Sequence, residues 1–282
     1  MPTYKQVVTP ELIARWIQQG RGKGEYFAYK PWLTVFDFSS RGLRTRLKGA
    51  TTGRIHHLFS RLELIFFHLA DLDNEVLDIR EQYPLFPQDN TVAIANSLGF
   101  KHPTDPKSKH PIIMTTDFLL TLGSRDKVHY QAWSVKYERD LYKTRTLQKL
   151  EIERQFWHML GIPWRIFTEA TISKPFISTL RRLHPYKSPT SIEFIPQELT
   201  ENIKTLLLNE VRPGVKLAPI TNSCDNIFQL RPGTSLQVAR HMLANSYWPI
   251  DFTRYTSPRT PLLFTDRPFR FSEGGVTFPR LL

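Results

Sequence analysis

The sequence predicts an α/β protein. A compact mixed sheet with flanking helices spans residues 1–169, and a small helical module spans 170–282. Three observations predict this. Strand-like runs at 76–82, 112–120, 128–138 and 163–168 are interleaved with helical patterns in the first part. After Thr168 the texture changes to short capped helices and proline-containing loops. A chain of 282 residues allows two ordinary domains, and 40% hydrophobic residues can build a core in each.

The elements follow in order. Thr9 is an N-cap and Pro10 takes the first helical position of a helix over 9–19, with Leu12, Ile13, Trp16 and Ile17 as its apolar stripe. Gly20-Arg21-Gly22-Lys23-Gly24 ends it. That loop lacks the spacing of a P-loop and reads as a flexible basic loop able to touch DNA. Residues 25–55 mix aromatic and basic side chains and read as short strands with a basic hairpin. Ser60-Arg61-Leu62-Glu63 has capping-box spacing and opens a helix to about residue 72. Residues 83–110 read as a long proline-rich loop. A helix over 144–160 carries Leu147, Leu150, Phe156, Trp157 and Leu160 on its apolar side, and Gly161 ends it. In the last third, helices are expected at 176–183, 196–210 and 234–243. Three small helices and an extended end suit a winged-helix-like module.

Composition excludes several classes. The single cysteine, Cys224, leaves no intramolecular disulfide and no cysteine-based zinc cluster. No apolar run is long enough to span a membrane, and no signal-peptide core is present, so a cytoplasmic location is expected. The net charge of +12 favours a polyanion. Its distribution says more. Residues 1–54 carry ten Lys/Arg against three Asp/Glu, 55–168 carry fourteen of each, and 169–282 carry fourteen against nine. A neutral centre between positive flanks suits an enzyme that holds phosphates at its edges and a metal in the middle.

The chemistry centres on Asp117 and Lys136, in the adjacent runs Met114-Thr115-Thr116-Asp117-Phe118 and Trp133-Ser134-Val135-Lys136-Tyr137, with Glu63 upstream on a helix. Strand alternation puts Lys136 on one face with Ser134 and Glu138. If the two runs pair as a hairpin, Asp117 and Lys136 converge at one end of the sheet. Phosphodiester hydrolysis needs a nucleophilic water and charge neutralisation on the phosphate. A hard cation on carboxylates and a main-chain carbonyl supplies both, and a nearby lysine stabilises the developing charge. Spacing alone also allows a surface ion pair for Asp117 and Lys136, and an ordinary capping role for Glu63.

The chain resembles the TnsA endonuclease subunits of heteromeric cut-and-paste transposons over most of its length. The segments that carry the resemblance are Pro31-Trp32-Leu33-Thr34-Val35, Thr52-Gly53-Arg54-Ile55-His56-His57-Leu58, Leu62-Glu63-Leu64 and Val76-Leu77-Asp78-Ile79-Arg80-Glu81-Gln82-Tyr83-Pro84-Leu85. Further segments are Lys101-His102-Pro103, Met114-Thr115-Thr116-Asp117-Phe118, Val135-Lys136, Leu150-Glu151-Ile152-Glu153-Arg154 and Ile162-Pro163-Trp164. The resemblance implies a restriction-endonuclease-like first domain and a winged-helix-like second one. It implies Glu63, Asp117 and Lys136 as catalytic residues, with Mg²⁺ or Mn²⁺ held by Glu63, Asp117, the Val135 carbonyl and Glu153. It implies double-stranded DNA at transposon ends, a TnsB-like transposase and a TnsC-like AAA+ ATPase as partners, and a nucleoid-associated setting in a bacterial cell. Such an enzyme cuts the 5′ strands.

One position departs from the family pattern. Ser134 stands where a Gln or Glu is usual, so a looser second metal site is expected, with Glu138 as a possible aid. The basic flank supplies the expected DNA contacts, Arg41, Arg44, Arg46, Lys48, Arg54 and His56. His56 and His57, being adjacent on a strand, point apart and do not form a joint metal site. Two other readings stand beside the nuclease. One is a catalytically idle DNA-binding assembly factor, and the other is a stand-alone restriction enzyme.

Overall fold

A computed structural model describes residues 4–39, 44–124, 127–255 and 257–266. Among these, contacts divide the chain into two units. One takes the residues up to Phe66 together with Glu75–Thr171. The other takes Phe67–Asn74 together with the residues from Ile172 on.

In the first unit, α1 spans Pro10–Gln18, and Thr9 accepts a capping bond from the Leu12 amide at 3.3 Å. Leu12, Ile13 and Trp16 are buried against Val8, Trp32, Leu33, Phe38 and Ile113. Ile17, expected on that stripe, is instead exposed. The glycine loop after α1 is pinned, contrary to the expected flexible loop. The Gly22 amide donates to the Lys30 carbonyl, and Arg21 holds Asp37 with two bonds of 2.8 and 3.2 Å.

A two-stranded hairpin joins β1 (Thr45–Lys48) to β2 (Ile55–Leu58), as the basic segment predicts. The main sheet has four strands in the order β3 (Val76–Pro84), β4 (Thr115–Ser124), β5 (Lys127–Val135) and β6 (Trp164–Phe167). The first three are antiparallel, and β6 runs parallel to β5. The return from β5 to β6 passes through α4 (Thr144–Met159), the crossover that parallel strands require. On one face, Leu119 and Ala132 pack on Ile152, Phe156 and Trp157 of α4. On the other, Phe66 of α2 (Arg61–Leu72) packs its ring on Phe118, Trp133 and Phe167. The expected long loop at 83–110 contains a helix, α3 (Gln88–Ser97). Its polar, weakly periodic sequence hides it, and Thr91 and Ala95 alone are fully buried.

The second unit is helical. It holds α5 (Lys174–Leu183), α6 (Gln197–Glu210), α7 (Leu217–Ile227) and α8 (Thr234–Ala244). α7 was not expected, because Pro219 and the Asn-Ser-Cys-Asp run argue against a helix. The proline sits in the first turn, where its missing N–H leaves no bond unmade. Among the described residues the β structure of this unit is two isolated bridges, Lys216 with Pro261 and Ile250 with Phe264.

A boundary near residue 170 places all of α2 in the first domain. Its last turns instead pack within the helical unit. His184 bonds Asp71 at 2.7 Å, and Lys187 donates to the Leu72 carbonyl at 3.1 Å and to Asn74.

Candidate active site

The site forms where the β4–β5 ladder ends. The last paired residues are Phe118 and Trp133. Beyond them the strands are joined by a side chain. Asp117 Oδ2 accepts the Val135 amide at 2.7 Å and also accepts from Lys136 Nζ. The same Lys136 Nζ donates to the Val135 carbonyl at 3.1 Å. The Lys136 amide continues the parallel pairing by donating to the Phe167 carbonyl at 3.0 Å. Burial alone would lower the lysine pKa. The charges of Asp117, Glu153 and Glu63 outweigh it and raise the value.

Glu63 reaches the cluster from the first turn of α2. The Glu63 amide donates to the capping Ser60 Oγ at 3.0 Å, and Glu63 Oε2 reaches back past the cap to accept the Phe59 amide at 2.9 Å. The cap and the site therefore adjoin: Ser60 caps the Glu63 amide, and the neighbouring Phe59 amide holds the Glu63 carboxylate. Its pKa is pushed up to about 7, first by burial and then by the negative charge of Asp117.

Glu153 reaches in from α4 and is buried. Its Oε1 accepts from Thr116 Oγ1 at 2.8 Å, Ser134 Oγ at 2.5 Å and Trp164 Nε1 at 3.0 Å. Thr116 in turn accepts from Trp157 Nε1 at 2.6 Å. Burial raises the Glu153 pKa, against the lowering effect of Lys136. Reading by strand alternation misses this cradle, because Thr116, Trp157 and Trp164 look like ordinary core residues. Glu138 does not share the face of Lys136. β5 ends at Val135, and Glu138 sits exposed in a 3-10 turn, with its amide bonded to Glu169.

Two of the expected DNA contacts are corrected by burial. Arg54 donates to Glu81 at 2.8 Å and to the Ile79 carbonyl, and His56 Nδ1 lies 2.8 Å from Glu81 Oε2, with Thr52 on its Nε2 at 2.7 Å. Glu81 and His56 are fully buried and Arg54 nearly so, which removes Arg54 and His56 from any DNA-facing surface. They lock the hairpin to β3. His57 is half-buried and takes the Val35 amide on Nδ1, so the adjacent histidines do serve different partners. Arg46 and Lys48 share the exposed face of β1, Arg44 donates to the Val35 carbonyl, and Arg41 lies outside the described residues.

Among the described residues no three His, Cys, Asp or Glu side chains stand as a ready-made metal cage. The donor set still fits a hard cation. Asp117 Oδ2 and the Val135 carbonyl already converge on a cationic group, the Lys136 ammonium. Mg²⁺ commonly takes only one or two carboxylates, with water and substrate oxygens completing its octahedron.

The model of the TnsA-like endonuclease N-terminal domain matches residues 73–169, and that of the TnsA endonuclease C-terminal domain matches 172–252. The transposition protein TnsA of transposon Tn7 from Escherichia coli is 36% identical over 256 residues, which is 88% of this chain and 87% of that protein. The chain belongs to the TnsA family. It is therefore a DNA endonuclease of transposition. The mixed sheet between α2 and α4 is consistent with the restriction-endonuclease-like fold. No helix among the described residues is long and apolar enough to cross a membrane.

Proposed function

We propose that this TnsA-family protein is a Mg²⁺-dependent nuclease, with Mn²⁺ as a substitute, that cuts the 5′ strands at transposon ends. A TnsB-like transposase acts on the other strands, and a TnsC-like AAA+ ATPase controls the assembly. The observation that carries the reading is the meeting of Asp117, Lys136 and the Val135 carbonyl at the open end of the β4–β5 ladder, with Glu63 reaching in from α2 to where the charge of Asp117 acts on it.

Asp117, Glu63 and the Val135 carbonyl would hold the divalent ion, with Glu153 beside them. When bound, the ion supplies charge neutralisation on the phosphate and a more acidic water. Lys136 places a positive charge where the attacked phosphate gains negative charge. The Phe59 and Ser60 bonds fix Glu63 before substrate arrives. The Thr116, Ser134 and Trp164 donors do the same for Glu153. Such preset geometry is what a phosphoryl transfer requires of the protein.

Residues 170–282 serve as a winged-helix-like docking module for these partners, and the packing of α6, α7 and α8 on one another supports that reading. Arg44, Arg46 and Lys48 contact phosphates, with Arg41 expected beside them.

Strand-specific nicking of transposon-end DNA, with Mg²⁺ and the partner transposase, tests the proposal. Asp117→Ala and Lys136→Ala should each abolish 5′-strand cleavage and leave DNA binding largely intact. Full cleavage by either variant would overturn the assignment.

A further inference from the structure

A cavity of about 320 Å³ lies in the first unit, between α1 and the segment that follows the glycine loop. None of its wall residues belongs to the cluster around Asp117. Its charge is one-sided. Lys5, Arg15 and Arg21 line it against a single carboxylate, Asp37, which Arg21 already holds with two bonds. Arg15 Nη2 donates to a neutral group, Gln6 Oε1, at 2.7 Å. Its lining is also aromatic. Trp16 underlies the Arg21 guanidinium at 4.4 Å, and Phe36 is 57% exposed at the rim. The Arg46 guanidinium lies over the Phe36 ring, 5.3 Å from its centre, and His57 meets that ring in a T-shaped contact at 5.8 Å.

We infer that this cavity receives one nucleotide of a DNA strand that lies outside base pairing, with its phosphate on Lys5 and Arg15 and its base against Phe36. The inference rests on DNA being the substrate. A paired duplex presents phosphates and base edges but keeps its base faces stacked inside, so it offers nothing to lay against an exposed ring in a recess. A recess of this size, at the lower end of the range for small-molecule sites, instead fits a whole nucleotide. Cations beside an exposed ring are the usual means of holding an unpaired one, since every base has a face to stack and every link has a charge. The exposure of Phe36 follows: the part of the ring that Arg46 does not cover stays in water and has a use when a base covers it.

The test is fluorescence anisotropy with the full chain, free of divalent ions so that no cutting occurs. Blunt transposon-end duplex is compared with the same duplex bearing an unpaired 5′ tail. The parent should prefer the tailed DNA by roughly five- to hundredfold, the range that stacking one base gives. Phe36→Ala should remove the preference while leaving blunt-duplex affinity in place, and Phe36→Tyr should restore it. The double variant Lys5→Ala with Arg15→Ala should lower the salt slope on tailed DNA by about 0.7 for each lost contact. A parent with no tail preference, or a Phe36→Ala variant that keeps it, would overturn the inference. Displacement of tailed DNA by an equimolar free deoxynucleoside monophosphate would assign the cavity to a free nucleotide and overturn it as well. Strand nicking by the parent in a separate assay reports on the nuclease reading, so the two can fail independently.

Discussion

Ser134 is wholly buried, and its hydroxyl donates to Glu153 at 2.5 Å. In the sequence it reads as a weakened metal ligand. In the structure it positions an acid from the neighbouring helix. The two roles predict opposite outcomes for Ser134→Gln. A lost ligand would be restored by glutamine, whereas a packed donor would be crowded by it. The geometry favours crowding, with a cost of about 1–3 kcal/mol and displacement of Glu153. Urea unfolding, with Mg²⁺ titrated against cleavage rate, decides the matter. A variant as stable as the parent and active at lower Mg²⁺ would return Ser134 to the ligand reading. Arg54 gives a second contrast. If it held DNA, Arg54→Ala would weaken binding and leave stability alone. Because it pairs with the buried Glu81, its loss should cost about 3–5 kcal/mol. Chemical denaturation of Arg54→Ala measures this directly. The residue types of the site were legible, since acid, acid and lysine at Glu63, Asp117 and Lys136 announce themselves. The cradle of Thr116, Ser134 and Trp164 was not, because hydrogen bonds between distant segments leave no local spacing.

α2 carries two environments along one helix. Its first turn presents Glu63, and its last turns, from Phe67, pack within the helical unit. There His68 stacks on His184 with ring centres 4.2 Å apart, and its Nδ1 is buried without a partner. Burial first, and the neighbouring His184 second, hold the His68 pKa down to about 3, against an ordinary 6.5. Between those values the unfolded chain binds a proton that the folded chain refuses. Stability from this group is therefore present above about pH 6.5 and is lost as pH falls. Acidifying from pH 7 to 5 should cost about 2 kcal/mol through His68, at about 1.4 kcal/mol for each unit below 6.5. In His68→Leu that part of the loss should vanish. Urea midpoints of both proteins at the two pH values measure it, and equal losses would place the acid sensitivity elsewhere. The same packing predicts that truncation after Thr171 strips the partners from Phe67, Leu69 and Leu72, all buried. The truncated chain should unfold at lower urea than the full chain and expose apolar surface to a dye such as ANS. A sharp, unshifted transition would show that α2 holds itself.

The charge of +12 is set against a single chemistry. With Arg54 and His56 buried, Arg44, Arg46 and Lys48 are what the described residues keep of the proposed duplex contacts on and beside the hairpin. Replacing Arg46 and Lys48 together by alanine should weaken binding to all DNA sequences alike and lower the salt slope by about 0.9 for each lost contact. Stability should hold, because both side chains are exposed. Binding isotherms across a salt series test this, and an unchanged slope would put the duplex on another face.

The order of helices and strands in the first domain was legible because each element carries its own signal. Thr9-Pro10 and Ser60 to Glu63 mark helix starts, and β-branched and aromatic runs mark β4 and β5. α3 and α7 were missed because their sequences are polar or proline-bearing, and they are helical through packing rather than propensity. The sequence also named the reactive types at Glu63, Asp117 and Lys136, since chemistry restricts which side chains can do the work. It did not decide which charges stay in water. Arg54 and His56 read as DNA contacts, and only three-dimensional pairing with Glu81, which compensates the desolvation of all three, puts them inside. The same reason governs Glu63 and Glu153. Their burial, and with it their raised pKa values, comes from segments brought together across the sheet, which a one-dimensional pattern does not encode.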